Sequence, residues 1–279
     1  GFEIEAVTRK PMKEAAALLD NVPLSRLFDE MVKLLQTGHA LASVQALQRF
    51  GLQQVFPILD QALRHPKESD AARFVELALE DTDRRVSEDK PVAPSFLLAC
   101  LLWDEVRQRW ASATQGGVAP FPALQQSIDA VFDERIGDIS GRGKLGSDMR
   151  EIWLMQPRFE RRSGSGPASL VEQPRFRAAF DFLRLRADVG EVSQELAEWW
   201  EDYSLGTDEE RVALMAAVRE QQQRKPRRVK REAPESASAI PDEPAPQEDL
   251  FGEVPRKRRR RRRRPATGRP ADDAASSGN

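Results

Sequence analysis

The sequence predicts an all-α protein, in which a multi-layer helical body is followed by a disordered basic C-terminal tail. Apolar residues recur at helical spacing through most of residues 1–223, and glycine or proline stands where many of these segments end or begin. No segment alternates apolar and polar residues convincingly enough to indicate a half-buried strand. Beyond Gln223 the apolar period is lost and prolines are frequent, so no sustained helix is expected there.

Amphipathic helices are predicted along the body wherever apolar residues fall on one helical face. They cover roughly residues 27–35, 44–50, 52–63, 69–79, 124–132, 148–156, 175–187 and 191–203. Gly38 and Gly51 are stop signals behind the first two, and Pro57 is expected to bend the third. Thr207 followed by Glu210 has the spacing of a capping box, which predicts one more helix before the tail.

The segment from Pro94 to Trp103 is predicted to be a central, buried helix, because it is apolar nearly all round. Its Cys100 is the only cysteine, which excludes an intrachain disulfide, and the thiol is expected to be buried and inert. His39 and His65 are the only histidines, so no cluster has zinc-ligand spacing. This apolar run is far shorter than the roughly 20 residues that span a bilayer, so a cytoplasmic protein without a membrane anchor is expected.

Glycine and proline also predict where the helical layers are separated. Residues 116–122 and 162–167 are expected to be loops. The stretch from Gly141 to Gly146 has the glycine spacing of dinucleotide sites, but nothing strand-like precedes it. It is therefore not interpreted as a nucleotide site, although Arg142 and Lys144 near a helix start could contact a phosphate.

No catalytic or metal site is assigned to this chain. Asp81, Asp83, Glu201 and Asp202 could in principle hold Mg²⁺, yet they stand among arginines and helix-face charges and are interpreted as solvated surface. The sequence also lacks a nucleophile elbow, and it has two histidines and one cysteine. We therefore expect no cofactor to bind to these residues.

Charge divides the chain into an acidic body and a basic tail. Residues 1–223 hold 27 Lys and Arg against 36 Asp and Glu, a net charge of −9, whereas residues 224–279 hold 16 against 9, or +7. The tail carries two cationic blocks, namely Arg224, Lys225, Arg227, Arg228, Lys230 and Arg231, and then Arg256, Lys257, Arg258, Arg259, Arg260, Arg261, Arg262, Arg263 and Arg264.

The expected partner of the two cationic blocks is a nucleic-acid backbone, because guanidinium groups match phosphate oxygens and an acidic body would otherwise repel a polyanion. A nuclear localisation signal, an anchor to anionic lipid or a tail that only aids solubility are the alternatives.

A second group of arginines lies in the body, on either side of the 162–167 loop. If that loop folds the flanking helices together, they could form a track for single-stranded RNA, with Phe159 or Trp153 available for base stacking. The alternative is that the arginines occupy ordinary helical surfaces and the aromatic residues pack the core. The arginines in question are Arg158, Arg161, Arg162, Arg175, Arg177, Arg184 and Arg186.

Several separated segments resemble, in the same order, segments of the bacterial poly(A) polymerases, which are class II nucleotidyltransferases related to the CCA-adding enzymes. They are GFEIEAVT at 1–8, LLDNVPLSRLFDE at 18–30, KL at 33–34, LQQVFP at 52–57, EDTDRR at 80–85, PRFRAAFD at 174–181 and WW at 199–200. An arginine-rich C-terminal extension is also typical of that family. The resemblance covers essentially the whole body.

The resemblance implies an RNA-binding portion of an enzyme that adds AMP from ATP to RNA 3′ ends and so promotes RNA decay. In that family an N-terminal head supplies the paired aspartates that bind two Mg²⁺ ions, and neither those residues nor the nucleotide-facing helix occurs here. ATP and Mg²⁺ are therefore expected in an absent head, and this chain alone is expected to be inactive. The start at Gly1 without a methionine fits a chain that has lost an upstream part.

The same resemblance assigns residues 1–64 to neck helices and an RNA-binding region near the head, 65–223 to the helical body and leg, and 224–279 to an RNA-binding tail. Arg26 and Glu30 stand four apart on the neck helix, where an ion pair that shapes the neck is expected. A role behind the nucleotide-binding surface is the other interpretation. A CCA-adding tRNA nucleotidyltransferase and a non-catalytic RNA-binding or annealing protein remain the alternatives for the function.

Overall fold

The computed structural model describes residues 3–135 and 143–224, apart from the side chains of Gln222 and Arg224. Within those ranges every regular element is helical, which confirms the predicted all-α class. The predicted tail from Lys225 onward, including its expected disorder, lies outside the described residues. None of the helices in the described ranges combines the length and apolar character needed to cross a bilayer.

The described helices are numbered α1 to α14 in chain order. They span Ala6–Arg9, Met12–Ala15, Leu24–Leu35, Ala40–Phe50, Pro57–Ala62, Asp70–Ser87, Pro94–Leu101, Trp103–Gln115, Pro120–Glu134, Gly143–Phe159, Gly166–Val171, Phe176–Asp188, Gln194–Leu205 and Asp208–Arg224. Short 3₁₀ segments cover Ala16–Asn21 and Gln53–Val55. The predicted division of the body at residue 64 stays a prediction.

Helix termini follow the local signals of the sequence. Gly51 ends α4 with φ at +69°, in the left-handed region that glycine enters without strain. The hydroxyl of Ser69 accepts a hydrogen bond from the Ala72 N–H at 3.2 Å and so caps α6. The capping box is confirmed, since the Thr207 N–H donates to Glu210 Oε2 at 2.7 Å and the Glu210 N–H donates to Thr207 Oγ1 at 3.4 Å.

Proline is responsible for one wrong helix prediction. Residues 52–63 do not form one bent helix, because a 3₁₀ turn ends at Val55 and α5 begins at Pro57. Phe56 between them is extended, with φ −116° and ψ 95°. A proline ring disfavours helical backbone in the residue before it, so the two helical pieces are separated there.

The central apolar helix is also shorter than predicted. It ends at Leu101, and α8 begins at Trp103 after a break at Leu102. Helix α8 itself was not predicted, because within it only Trp103 and Val106 are buried and most of its other residues are polar. A stripe of so few apolar residues gives a weak helical period.

The predicted loops are shorter in the structure because helices start at or near their prolines. Pro120 occupies the first turn of α9, and α11 begins at Gly166 just before Pro167. Likewise α10 begins at Gly143 rather than Asp148, so Gly146 is helical. Gly141 and Arg142 of the glycine-rich stretch lie outside the described residues.

Two apolar cores hold the body together. The larger one surrounds α7, whose residues from Ser95 to Leu101 are all buried, and it extends to Phe182 of α12. Cys100 is buried there as predicted, and burial raises the pKa of its thiol well above the usual value. The smaller core joins the end of α10 to α11–α14, with the Trp200 ring edge-on to Phe159 at 5.0 Å between centroids.

Asp83 links two helices of the larger core. Its carboxylate accepts hydrogen bonds from the Ala40 N–H at 2.5 Å and the Leu41 N–H at 3.1 Å. These are the first two backbone donors of α4, which have no partner within their own helix. The interpretation of Asp83 as solvated surface is therefore wrong, because its carboxylate accepts bonds from the start of α4. A negative charge at a helix start is stabilising.

Replacing Asp83 by alanine should destabilise the fold by about 2 kcal/mol, because two helix-start donors would lose a charged acceptor. For a body of this size the melting temperature should fall by roughly 4–8 °C. Thermal unfolding followed by circular dichroism measures the change. Asp133→Ala, which removes an exposed carboxylate from α9, is the matched control and should cost less than about 0.5 kcal/mol. Equal losses in both variants would contradict the capping role.

Candidate nucleic-acid interface

The two aromatic residues predicted to stack on RNA bases are unavailable for that role. Trp153 and Phe159 are both fully buried. The Trp153 indole N–H donates to the Ala99 carbonyl at 3.2 Å, and Phe159 packs against Trp200. Both lie on the core face of α10, so the alternative interpretation, in which they pack the core, is confirmed.

Arg186 is a structural residue and not part of an RNA surface. Its Nε donates to Glu191 Oε2 at 3.0 Å and its Nη1 donates to Gln156 Oε1 at 3.2 Å. The guanidinium carbon lies 5.1 Å from the centre of the Trp103 ring. Burial lowers the pKa of the Arg186 guanidinium, and the charge of Glu191 opposes that shift. Because these contacts surround the Arg186 guanidinium, it cannot bind a polyanion.

Arg177 and Arg184 lie in a polar cleft between α6 and α12 that we name the arginine cleft. The cleft also contains Arg84 and Arg85 of α6. Its carboxylates are Asp81, Asp181 and Asp188. The charged residues stand at i, i+3 and i+4 on α6 and at i, i+4, i+7 and i+11 on α12, so each helix presents one charged face to the cleft. Sequence reasoning missed Arg84 and Arg85, although this spacing was available as a signal.

Within the arginine cleft, Asp181 forms ion pairs with two of the arginines. Asp181 meets Arg177 through two bonds of 3.1 and 3.2 Å and Arg85 through one of 3.2 Å. Burial raises the pKa of the Asp181 carboxyl, although the charges of both arginines work against that shift. Arg184 is exposed on the same helix face, where its guanidinium can reach a solvent anion.

The remaining body arginines lie in other surroundings. Arg175 pairs with Asp148 at 2.7 Å. The guanidinium of Arg162 lies 5.8 Å from the centre of the Trp199 ring, and Arg161 is exposed. Arg158 lines a separate cleft beside Phe121. The seven arginines are thus distributed over several settings, and only Arg177 and Arg184 meet in one cleft.

On the predicted neck helix, Glu30 pairs with Lys33 and not with Arg26. On α3 the carboxylate of Glu30 accepts a bond from Lys33 Nζ at 2.6 Å, and both side chains are exposed. Arg26 is exposed on the same helix, and no ion pair joins it to Glu30 in the described structure. The pairing of Glu30 with Lys33 at i+3 follows the order of charges that suits a helix, acid before base, which Arg26 and Glu30 reverse.

The tail residues cannot be placed. Arg224 closes α14, and its side chain is not described. Lys225 to Arg264 lie outside the described residues. In the ranges that are described, no three His, Cys, Asp or Glu side chains come together as a metal site.

Arg184 and Arg186 stand two residues apart, on different faces of α12, and should respond differently to substitution by glutamine. Arg186→Gln should destabilise the fold by about 2 kcal/mol, because the largely buried Glu191 loses its ion pair with Arg186 and keeps only the Trp103 indole N–H at 3.0 Å and Arg107 at 3.4 Å. Arg184→Gln should change stability by less than about 0.5 kcal/mol but weaken binding of a single-stranded RNA. Because Arg184→Gln removes one phosphate contact, the slope of log affinity against log salt concentration should fall by about 0.7. Urea unfolding and RNA titration at several salt concentrations measure the two effects, and a stable variant at position 186 would contradict the assignment.

Comparison with known sequences finds two matching families. Residues 1–63 match the family described as "Probable RNA and SrmB- binding site of polymerase A", and residues 116–235 match "Polymerase A arginine-rich C-terminus". The second match contains α9 to α14 and the first basic block of the tail. Both descriptions refer to the same class of enzyme.

Curated relatives give the same result. The chain is 34% identical over 231 residues to Poly(A) polymerase I of Haemophilus influenzae, covering 82% of this chain and 50% of that protein. For the Poly(A) polymerase I proteins of Salmonella typhi and Escherichia coli O6:H1 the identities are 33% and 31%, over 77% and 84% of this chain and 47% and 52% of theirs. The chain spans about half the length of the curated relatives that it matches. On these matches, the chain belongs to the bacterial poly(A) polymerase family, whose C-terminal half it represents.

Proposed function

We propose that this chain is the RNA-binding portion of a polynucleotide adenylyltransferase that adds AMP from ATP to RNA 3′ ends and thereby promotes RNA decay. The observation that carries the proposal is the similarity to Poly(A) polymerase I over about four fifths of the chain. The match to an arginine-rich C-terminal family favours this enzyme over a CCA-adding one, because tRNA is recognised largely by shape and does not require a basic tail.

The chemistry of nucleotidyl transfer belongs, in this proposal, to residues outside the chain. The resemblance places the paired aspartates that bind two Mg²⁺ ions in an N-terminal head. ATP and Mg²⁺ would bind to an N-terminal head joined to α1. The chain itself would bind the single-stranded 3′ end, in the cytoplasm where messenger RNA is degraded.

RNA would be held by two kinds of contact. The tail carries nine consecutive basic residues from Arg256 to Arg264, which attract phosphates irrespective of base sequence. The arginine cleft would add phosphate contacts at a fixed place in the fold, through Arg184 and the exposed part of Arg177. A long-range attraction combined with a fixed contact would guide a flexible strand toward the head.

Adenylate addition by the chain without an N-terminal head tests the proposal that the catalytic residues lie outside the chain. The purified chain should add no adenylate to an RNA primer with ATP and Mg²⁺, because the metal-binding residues are expected elsewhere. The same chain preceded by the N-terminal half found in its relatives should extend the primer. A primer-extension assay measures both, with a host lacking its own poly(A) polymerase as the source. Tailing by the chain alone would contradict the proposal.

Removing residues 224–279 tests the role of the tail. If 6 to 10 phosphates are contacted, the slope of log affinity against log salt should fall by about 4 to 7, because each phosphate of a single strand contributes about 0.7. RNA titrations between low and moderate salt measure the slope. A full-length variant with Arg256–Arg264 replaced by glutamine is the matched control and should lose much of the same slope. An unchanged slope in the truncated chain would assign RNA binding to the body.

A further inference from the structure

Phe121 is an aromatic side chain in an unusual place. Its side chain is 44% exposed, and it is the only aromatic residue among the large exposed apolar side chains of the described ranges. By contrast, Trp103, Trp153 and Phe182 are buried in the larger core, and Phe159, Trp199 and Trp200 in the smaller one. At this exposure part of the ring is open to solvent, where a flat apolar partner can stack on it.

The backbone holds Phe121 firmly at that place. It is the second residue of α9 and stands between Pro120 and Pro122, whose rings fix φ on both sides. The indole N–H of Trp110 donates to the Pro120 carbonyl at 2.7 Å and ties this turn to α8. The ring is therefore presented by a rigid element, which lowers the entropy lost when a ligand stacks on it.

The surroundings of Phe121 have a mixed polar and apolar character. The cleft beside it has a volume of about 310 Å³, at the lower end of the range of about 300–1,000 Å³ for small-ligand sites. Four of its residues stand on one face of α10 at i, i+3, i+4 and i+7, and two precede α12. The lining residues besides Phe121 are Glu151, Leu154, Met155, Arg158, Gln173 and Pro174.

Arg158 is the cation of this cleft. Within residues 3–135 and 143–224, no carboxylate is within ion-pair distance of its guanidinium, unlike Arg175 and Arg177. Gln173 Nε2 donates to the Ser169 carbonyl at 3.1 Å, which orients the amide at the cleft wall. Glu151 adds an acceptor, so a bare anion suits this cleft less well than a group with both a phosphate and hydrogen-bond donors.

We propose that this cleft binds one unstacked nucleotide of single-stranded RNA, with the base stacked on Phe121 and a neighbouring phosphate on Arg158. The site rests on the proposed RNA-binding function and deepens it by naming a base-binding position. All of its residues lie within the stretch that matches the arginine-rich C-terminal family. Stacking on an aromatic side chain is tolerant of sequence, because each base has a π-face.

The test compares RNA oligomers of equal length and phosphate number, one with all its bases and one with abasic positions. The full chain is used at a salt concentration high enough to screen most phosphate contacts of the tail. Wild-type protein should bind the intact RNA more tightly than the abasic one. Phe121→Ala should weaken binding of intact RNA by about 5- to 150-fold, the range expected for loss of one stacked base. It should leave binding of abasic RNA nearly unchanged, since no base is there to stack.

Two control variants keep the result specific. Phe121→Tyr preserves the ring and should retain the preference for intact RNA, whereas Leu205→Ala removes another strongly exposed apolar side chain and should have no effect. Phe121→Ala should lower the melting temperature by less than removal of a core ring such as Phe159 would, because Phe121 is 44% exposed. Equal weakening for intact and abasic RNA, or no weakening at all, would overturn the proposal.

These outcomes are distinguishable from failure of the proposed function. If the family role in RNA binding were wrong, wild-type protein would bind neither oligomer with measurable salt-dependent affinity. If only the base-binding position were wrong, RNA binding and its dependence on the tail would persist while Phe121→Ala behaved as wild type.

Discussion

The burial of α7 is the constraint on which the rest of the body depends. Every residue from Ser95 to Leu101 is enclosed, so this helix has no face that water can solvate. It must be covered on all sides, and α5, α6, α8, α10 and α12 pack against it. Covering α7 brings α6 and α12 side by side, and their outward faces then form the arginine cleft. The arginine cleft is thus positioned by an apolar helix that does not contribute a side chain to it.

Whether a body arginine can reach a solvent anion depends on the carboxylates near it. Arg186 meets Glu191 inside the protein and becomes part of the core, whereas Arg175 and Arg177 are balanced by aspartates near the surface. Arg158 and Arg184 line clefts without an ion pair in the described ranges, and Arg161 is exposed, so a solvent anion can reach all three. Sequence position alone does not separate these classes, because partners such as Arg85 and Asp181 are 96 residues apart.

Sequence patterns predicted the class of fold and most helices, since helical period and capping are local properties. The stop at Gly51, the capping box at Thr207 and the buried Cys100 all followed from neighbouring residues. Errors arose where a distant contact decided the outcome. Asp83 caps a helix 43 residues away, which no local pattern could indicate. The burial of Trp153 and Phe159 likewise depends on which face of α10 meets its neighbours, and the apolar period did not distinguish a stacking surface from a core.

The last helix, α14, is attached to the rest of the body by little apolar contact. Val218 is its only buried apolar residue among those described, with Leu214 and Met215 partly covered, and its attachment relies on Arg211 bonding to the carbonyls of Tyr203 and Ser204. A helix with so little apolar contact opens at a lower free energy than the core does. Its amides would exchange with solvent through local openings while the two cores remain intact. Helix α14 can therefore detach and redock without global unfolding of the body.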